Sequence, residues 1–319
     1  MPQRRTTGLL YLVLLFLTAF VVPQTARAGF TIGTDASNFA LLFEGAGANT
    51  LQVTNVTVNG NVGVGLTGQA TDSGPSTING GLDFSAANTS QFSNNNAADI
   101  IAGGVHYSVA AVASALSTVN SLNTTLGAES GTNIAIGTGG GQTLTINAAS
   151  GTLDANGNRV FNVTGFNTTN GNVLTINGDA AGDSVVLNFT GSVNFNNQVR
   201  LNGLSSDQVL YNFVGGSNLT GGPTLQINDN LSNNAPNCSL GQFCVQGVFL
   251  DPNGAISVTN ANVAGRVFGG DTHDFQYVSG STITASMTTV PEPSNLLELI
   301  GFSAVILLAA ARRKKSIRS

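Results

Sequence analysis

The side chains in this sequence that could do chemistry are few. His106 and His273 are the only histidines, and His273 stands between Asp271 and Asp274. An imidazole and two carboxylates could bind a metal ion, but in a glycine-rich stretch these residue types are more typical of an exposed turn. His106 falls in a segment with helical periodicity, where a packed or surface histidine is expected. We therefore predict no metal site at either histidine.

Two further aspartates, Asp179 and Asp183, flank an Ala-Ala-Gly segment and could offer oxygen ligands to calcium. The segment lacks the dense pattern of oxygen ligands that calcium loops have, so a turn is the better interpretation. No spacing indicates a Ser-His-Asp or Cys-His arrangement, and no paired carboxylates stand out. The sequence therefore predicts no catalytic residue and no cofactor, and the chain is not expected to be an enzyme.

The only cysteines, Cys238 and Cys244, are six positions apart around Gly241. In an exported protein such a pair is most simply a local disulfide. A CxxC redox motif or a zinc site is excluded by the spacing and by the lack of further ligands.

Charge is distributed unevenly along the chain. Residues 29–290, here called the body, hold three arginines, no lysine and fourteen acidic residues, a formal charge of −11. An acidic surface repels phosphate backbones, so nucleic acid is excluded as a partner. The body is rich in Gly, Asn, Thr, Ser and Val, which favours strands and tight turns. It has no internal linker, so residues 29–289 are expected to form one domain.

The first 28 residues have the pattern of a secretion signal. Two arginines precede an apolar run over residues 8–22, and Ala26-Arg27-Ala28 offers the small residues that signal peptidase accepts. The alternative is a retained transmembrane anchor, but the run is short and is followed by Pro23. We predict a signal peptide over residues 1–28.

The last thirty residues have three parts. The motif Val290-Pro291-Glu292-Pro293-Ser294 precedes an apolar segment, 295–311, and a basic tail, 312–319, that holds Arg312, Arg313, Lys314 and Lys315. The prolines remove helix hydrogen bonds, so the motif is expected to stay extended and open to a processing enzyme. The apolar segment spans roughly 26 Å at about 1.5 Å per residue, which makes it a marginal transmembrane helix. The basic tail predicts that this end is cytoplasmic and that the body is on the other side of the membrane.

This arrangement resembles the PEP-CTERM sorting signal, with Pro291, Glu292 and Pro293 as its triplet. The resemblance implies recognition by an exosortase, a membrane transpeptidase-like enzyme of Gram-negative bacteria that also make exopolysaccharide. The chain would then be anchored transiently in the inner membrane before it reaches the cell surface or the extracellular space. A plain C-terminal anchor with a proline-rich neck is the alternative.

Two periodicities alternate within the body. From Phe39 to Val64 apolar residues alternate with Asn, Thr and Gly, which indicates short strands and tight turns. From Ala97 to Leu126 apolar residues recur every three or four positions, which predicts one long amphipathic helix, capped at residues 94–96 and ended by Gly127.

After the helix a short phrase recurs loosely, as LTIN at 144–147 and 174–177, VVLN at 185–188 and LQIN at 225–228. Each copy is expected to point its apolar residues inward and its polar residues outward or onto a turn. Such strands, separated by Gly-Asn-Asp turns, predict about five coils between residues 127 and 235. The predicted fold is mainly β, an irregular β-helix (solenoid) with one long α-helix packed alongside. A β-sandwich is the alternative.

The end of the body adds a family resemblance. Asp251-Pro252-Asn253-Gly254, Ile256-Ser257-Val258, Asn262-Val263-Ala264-Gly265 and Gly269-Gly270-Asp271, with Phe275 and Tyr277, follow in order. With the earlier segment VTNVTVNGNVGVG, they make the chain similar to the choice-of-anchor A family of exported bacterial proteins. More distantly the chain resembles ice-binding-like adhesin domains, which implies a β-helix beside a long helix. The family carries no established catalytic residues.

Three functions are compatible with these observations. The first is an exported surface or matrix protein with a structural or adhesive role in biofilm, which would contact exopolysaccharide. The second is an ice- or carbohydrate-binding module that uses outward threonines such as Thr143 and Thr145, although these do not repeat in register along the sequence. The third, a polysaccharide lyase or hydrolase, needs clustered Asp, Arg or Lys, and three arginines make it a poor fit.

Overall fold

Twenty-five strands and one α-helix make up the described part of the chain. The computed structural model describes residues 29–47, 49–168, 172–179, 182–196, 198–215, 224–228, 245–270 and 274–285. Several predictions concern residues outside these ranges: the signal peptide, the sorting motif Val290–Ser294, the segment 295–311, the basic tail, Asp271, His273 and the disulfide between Cys238 and Cys244.

The first ten strands precede the helix. They are β1 (Phe39–Phe43), β2 (Thr50–Thr54), β3 (Thr57–Asn59), β4 (Asn61–Val64), β5 (Gln69–Asp72), β6 (Thr77–Ile78), β7 (Leu82–Phe84), β8 (Phe92–Asn94), β9 (Ile100–Ile101) and β10 (Val105–His106). Helix α1 (Ala110–Gly127) follows.

The other fifteen strands come after the helix. They are β11 (Thr132–Gly137), β12 (Thr145–Asn147), β13 (Thr152–Leu153), β14 (Asn158–Asn167), β15 (Val173–Asn177), β16 (Ser184–Phe189), β17 (Val193–Phe195), β18 (Gln198–Asn202), β19 (Val209–Phe213), β20 (Thr224–Ile227), β21 (Val245–Asp251), β22 (Ala255–Thr259), β23 (Asn262–Gly269), β24 (Phe275–Val278) and β25 (Thr282–Thr284).

The strands form four parallel rows. The long sheet has the order β10-β7-β4-β1-β23-β21-β19-β16-β14-β11, and the polar sheet has the order β17-β20-β22-β24-β2-β5-β8. The short sheet is β12-β15-β18, and the side row is β25-β3-β6-β9, which joins the long sheet through β23. Among the described strands only β13 and β14 pair antiparallel. Parallel rows formed by successive turns of chain are the pattern of a β-helix-like solenoid, and they exclude the β-sandwich, whose sheets are antiparallel.

The coils are not stacked in sequence order. Strand β1 lies between β4 and β23, so the chain starts in the middle of the long sheet and builds towards β10 at one end. After α1 it resumes at β11, the opposite end, and its later coils return to β1. The first and last coils therefore meet along a seam, where β1 pairs with β23, β2 with β24 and β3 with β25.

The central strands of the long sheet are buried on both faces. Every residue of β1, β16 and β19 is buried, which explains their nearly continuous apolar sequences. One face points into the solenoid, where Tyr211 stacks on Phe249 with ring centroids 4.4 Å apart. The other face packs against α1 through an outer cluster that includes Val112, Ala115, Leu116, Val119, Val160, Val186, Leu210, Val248 and Phe268.

Helix α1 is shorter than its predicted extent. It begins at Ala110 instead of Ala97, because residues 97–109 form the last coil before the helix and contain β9 and β10. Gly103 and Gly104 separate these strands, and Gly104 adopts a φ of +83°, which no right-handed helix allows. The apolar spacing that predicted helix there comes from two short strands. His106 accordingly lies on a strand.

A buried asparagine network fixes α1 against the long sheet. The side-chain amide of Asn123 donates to Asn212 Oδ1 at 2.7 Å, and the amide of Asn212 donates to Asn188 Oδ1 at 2.8 Å. Asn188 in turn donates to the carbonyl of Leu126 at 2.8 Å, near the helix C-terminus. Buried polar groups that are satisfied only in one arrangement set the register of the packed elements.

The recurring four-residue phrase does not mark one side of the solenoid. Its copies at 144–147 and 174–177 pair in register in the short sheet. The copy at 185–188 belongs to the long sheet, and the copy at 225–228 belongs to the polar sheet. Asn188 is buried although an outward position was expected, because α1 covers that face.

Candidate functional site

The outer face of the polar sheet carries one unbroken column of uncharged polar residues. Strand pairing places one such residue from each of the seven strands side by side. In sheet order the column is Asn194, Gln226, Ser257, Gln276, Gln52, Thr71 and Ser93. All seven are exposed or half-buried.

Buried residues on the inner face of the polar sheet fix the position of this column. The column residues of the first six strands are flanked by buried neighbours, and Leu225, Ile256, Phe275 and Leu51 are at most 1% exposed. Alternation of this kind fixes the register, because a slip by one residue would turn the apolar side chains outward. The backbone therefore fixes the spacing of the hydrogen-bonding side chains along the column.

Two shorter polar columns lie on the side row, on the next side of the solenoid. One consists of Thr282, Thr57 and Thr77 in register. In the other, the amide of Asn79 donates to Asn59 Oδ1 at 2.6 Å, and the amide of Asn59 donates to Thr284 Oγ1 at 3.0 Å. These bonds orient the side chains outside the coil.

A groove of about 200 Å³ lies at the corner between the polar sheet and the side row. It is lined by Asn55, Val56, Thr57, Pro75, Thr77, Gly280 and Ser281, from three adjacent coils. Asn55 and Gly280 have φ values of +56° and +77°, which turn the chain sharply at this corner. The groove lies beside the threonine column, because Thr57 and Thr77 line it.

Three residues considered as possible metal ligands, Asp179, Asp183 and His106, have other partners. Arg159 Nε lies 2.8 Å from Asp183 Oδ2, and its Nη2 lies 3.0 Å from Asp179 Oδ2, so a guanidinium occupies the position considered for calcium. Burial opposes ionisation of Asp179, but hydrogen bonds from Asp183 and Arg159 outweigh it and lower the pKa of Asp179. His106 Nδ1 lies 2.7 Å from Asp83 Oδ1. Within the described ranges no three His, Cys, Asp or Glu residues group as metal ligands.

Two buried carboxyl groups have raised pKa values. Burial raises the pKa of Asp72 to about 6, and the charge of Asp99 adds to this effect, while a hydrogen bond from Ser76 opposes it. Asp251 is fully buried at the end of β21, and burial raises its pKa to about 8, although backbone amides of Gly254 and Leu225 partly compensate. Asp251 is thus largely protonated at neutral pH.

We expect Asp251 to make the stability of the fold decrease as pH rises. Because its pKa is about 8 in the folded protein, against 3.8 for an unperturbed aspartate, the folded state binds the proton more tightly. The stabilisation is complete below pH 4 and is lost towards pH 8, by at most about 1.4 kcal/mol per pH unit. Urea unfolding of the parent and of Asp251→Asn between pH 4 and pH 8 measures it. The free energy of unfolding of Asp251→Asn, relative to that of the parent, should increase as pH rises. If the two free energies change with pH in parallel, the prediction is wrong.

The polar columns were not predicted from the sequence, because at the seam they join strands that are distant in the chain. Gln276 is next to Gln52, and Thr282 is next to Thr57, although more than 200 positions separate each pair. Thr145 and Thr175 are in register in the short sheet, where the sequence intervals suggested none, while Thr143 makes only an isolated bridge with Ile136.

Together these features define a parallel β-solenoid with a packed helix and a broad uncharged polar surface. No family model and no curated protein matches the chain. Among solved structures, an ice-binding protein from the Antarctic ascomycete Antarctomyces psychrotrophicus is 16% identical, with a TM-score of 0.49, over 82% of this chain and all of the other. An ice-binding protein from an Arctic yeast is 13% identical, with a TM-score of 0.49, over 83% of this chain and 98% of the other.

A bacterial structure is also similar, with a lower TM-score. The DUF3494 domain of ice-binding protein 1 from Shewanella frigidimarina is 16% identical, with a TM-score of 0.41, over 81% of this chain and 98% of the other. None of the helices in the described part of the present chain is long and apolar enough to cross a membrane. Function is inferred below from the surfaces of the solenoid.

Proposed function

We propose that this chain is an exported, non-enzymatic surface or matrix protein whose solenoid binds extracellular polysaccharide along the polar sheet. The observation that carries the proposal is the seven-residue polar column from Asn194 to Ser93. A structural or adhesive role in biofilm follows from binding of this kind, because a polymer held along one face links the protein to the matrix.

The spacing of the column suits an extended polymer. Parallel strands are about 4.8 Å apart, so six steps cover roughly 29 Å, with a hydrogen-bonding side chain at each step. Amide and hydroxyl groups are donors and acceptors, as sugar hydroxyls are. Because neither partner is charged, binding does not require the desolvation of a charged group. The rigid backbone reduces the entropy lost on binding, although the three glutamines keep flexible side chains.

Export and sorting complete the proposal. Signal peptidase would remove residues 1–28, and an exosortase would recognise Val290–Ser294 while the apolar segment holds the chain in the inner membrane. The support for this step is the order of motif, apolar segment and basic tail in the sequence.

Ice is the second candidate ligand. The observation that favours it is the column of Thr282, Thr57 and Thr77, which presents hydroxyl and methyl groups at one-strand intervals. The polar column fits ice less well, because long glutamine side chains interrupt a flat surface. Thermal hysteresis and inhibition of ice recrystallisation by the purified protein test this candidate directly.

Replacing Gln52 and Gln276 together with alanine should weaken polysaccharide binding. Each side chain offers hydrogen bonds worth about 1 kcal/mol, so the loss of both is expected to lower affinity for a soluble neutral β-glucan by about tenfold or more. The matched control is Ser117→Ala with Ser121→Ala, two exposed positions on α1. Isothermal titration of the three proteins measures the effect. Equal affinities would rule out the polar sheet as the binding surface.

Replacing Pro291 or Glu292 should stop processing at the sorting signal. The extended motif would be lost while the apolar segment survives, so the chain should accumulate in the inner membrane with its basic tail intact. Mass spectrometry of membrane and extracellular fractions from an exosortase-containing host detects this. The sorting proposal fails if the variant is cleaved and released like the parent.

A further inference from the structure

The short sheet carries a second polar surface, which the proposed function does not use. Its strands pair in register, so their outward residues form two columns. One column is Thr145, Thr175 and Arg200, and the other is Asn147, Asn177 and Asn202. No acidic residue stands at an outward position of these three strands.

The asparagine column is fixed by its own hydrogen bonds. The amide of Asn177 donates to Asn147 Oδ1 at 2.8 Å, and the amide of Asn202 donates to Asn177 Oδ1 at 2.8 Å. Inward neighbours Ile146, Ile176 and Leu201 are at most 7% exposed and hold the strands in place. Arg200 therefore extends beside a row of asparagine side chains that are already ordered.

Arg200 differs from the other two arginines of the body. Arg159 binds Asp179 and Asp183, and Arg266 binds Asp207 and the carbonyl of Phe39. Arg200 is exposed and makes no ion pair with any residue in the described ranges. Within those ranges it is the one arginine whose guanidinium is open to a ligand.

We propose that Arg200, with Thr175 and Asn202, binds the carboxylate groups of an acidic polysaccharide. This rests on the proposed function and adds a ligand class to it, because the polar sheet suits neutral sugars. A guanidinium matches a carboxylate by two parallel hydrogen bonds. Neighbouring strands are about 4.8 Å apart, and alternate residues of one strand are about 6.7 Å apart, so Thr175 and Asn202 are placed to contact hydroxyls of the same sugar ring.

The negative charge of the body does not prevent this contact. Its formal charge of −11 is spread over 262 residues, and at about 0.15 M salt charges more than about 8 Å away are largely screened. The ligand therefore experiences mainly Arg200 and the uncharged side chains beside it. A polymer with carboxylates is favoured over nucleic acid, because its sugar hydroxyls and planar carboxylates match the amides, hydroxyl and guanidinium on this face.

The test uses two soluble probes, polygalacturonate and a neutral β-glucan, and the purified full-length chain at about 0.15 M salt. Arg200→Gln should lower affinity for polygalacturonate by about fivefold, the upper end for the loss of an exposed ion pair. Arg200→Lys should recover only part of it, because lysine keeps the charge but not the paired hydrogen bonds. Neither change should alter binding of the β-glucan.

A matched variant separates the local contact from net charge. Asp35 is half-buried, and its replacement in Arg200→Gln/Asp35→Asn restores the net charge of the parent. If the double variant still binds polygalacturonate weakly, the effect belongs to the site at Arg200. If it binds like the parent, net charge alone is responsible and the inference is wrong.

The two proposals fail in different ways. If the parent binds the β-glucan and Arg200→Gln leaves binding of polygalacturonate unchanged, or the parent binds no polygalacturonate at all, the site at Arg200 is wrong and the proposed function stands. If the parent binds polygalacturonate through Arg200 but no neutral glucan, the polar sheet is wrong and the site at Arg200 stands. If neither polymer binds, both are wrong.

Discussion

Replacing Leu116 with aspartate is expected to lower the free energy of unfolding by about 3 kcal/mol or more. Leu116 is 6% exposed, lies near the middle of α1 and belongs to the outer cluster between the helix and the long sheet. Its Cδ1 packs so closely on Gly65 that a Cβ at that glycine would lie 2.2 Å away. Aspartate would remove this packing and bury a carboxylate among apolar side chains of the outer cluster.

The control is the next residue of the same helix. Ser117 is exposed, so Ser117→Asp should change stability by less than about 0.5 kcal/mol. Urea unfolding of the parent and both variants, followed by circular dichroism, measures the difference. Small and equal effects would mean that α1 does not contribute to the core and that the coils close without it.

Replacing Gly265 with alanine should be at least as damaging. Gly265 of β23 is in register with Gly247 of β21, and both strands bend there, with φ values of +146° and +136°. A Cβ at Gly265 would lie 1.9 Å from the carbonyl oxygen of Gly247, which is backbone and cannot move aside. Strained backbone and overpacking each cost about 1–3 kcal/mol, so a loss of about 3 kcal/mol or more is expected.

Two other glycines separate the causes of this loss. Gly280 has a φ of +77°, but a Cβ there would meet no atom within 4 Å, so Gly280→Ala reports backbone strain alone. Gly191 has neither strain nor a close neighbour, and Gly191→Ala should be nearly neutral. Thermal unfolding of the three variants should rank Gly265 as the most sensitive position. If Gly265→Ala has the same melting temperature as Gly191→Ala, β21 and β23 do not pair as closely as described.

The seam has a consequence for folding. Strands β1, β2 and β3 can complete their pairing only after β23, β24 and β25 have formed, more than 200 residues later in the chain. Contacts between such distant residues are slow to form, because a long loop must close first. The seam also lies in the middle of the polar column, so the proposed binding surface is complete only when the whole solenoid has closed.

The local pattern of apolar and polar residues predicted which kinds of secondary structure the body contains. Alternating Val, Thr and Asn with Gly turns predicted strands wound as coils, and the stripe from Val112 to Leu126 predicted the helix that packs beside them. The helix start was wrong, because short strands such as Ile100–Ile101 and Val105–His106 can imitate helical spacing over a few residues. Gly104 was the local signal that could have separated the two.

The sequence by itself determined the composition of each coil. It showed which residues are apolar, where the chain turns, and that the body carries almost no cations. The tertiary structure alone decided which coils are neighbours, because nothing near Phe39 indicates that β1 will pair with β23. It decided that Asn188 is covered by α1 while Asn177 faces outward, although both end similar phrases. It also aligned Gln276 with Gln52. A column across strands depends on register, and register at the seam is set by burial in a core that the whole chain must form together.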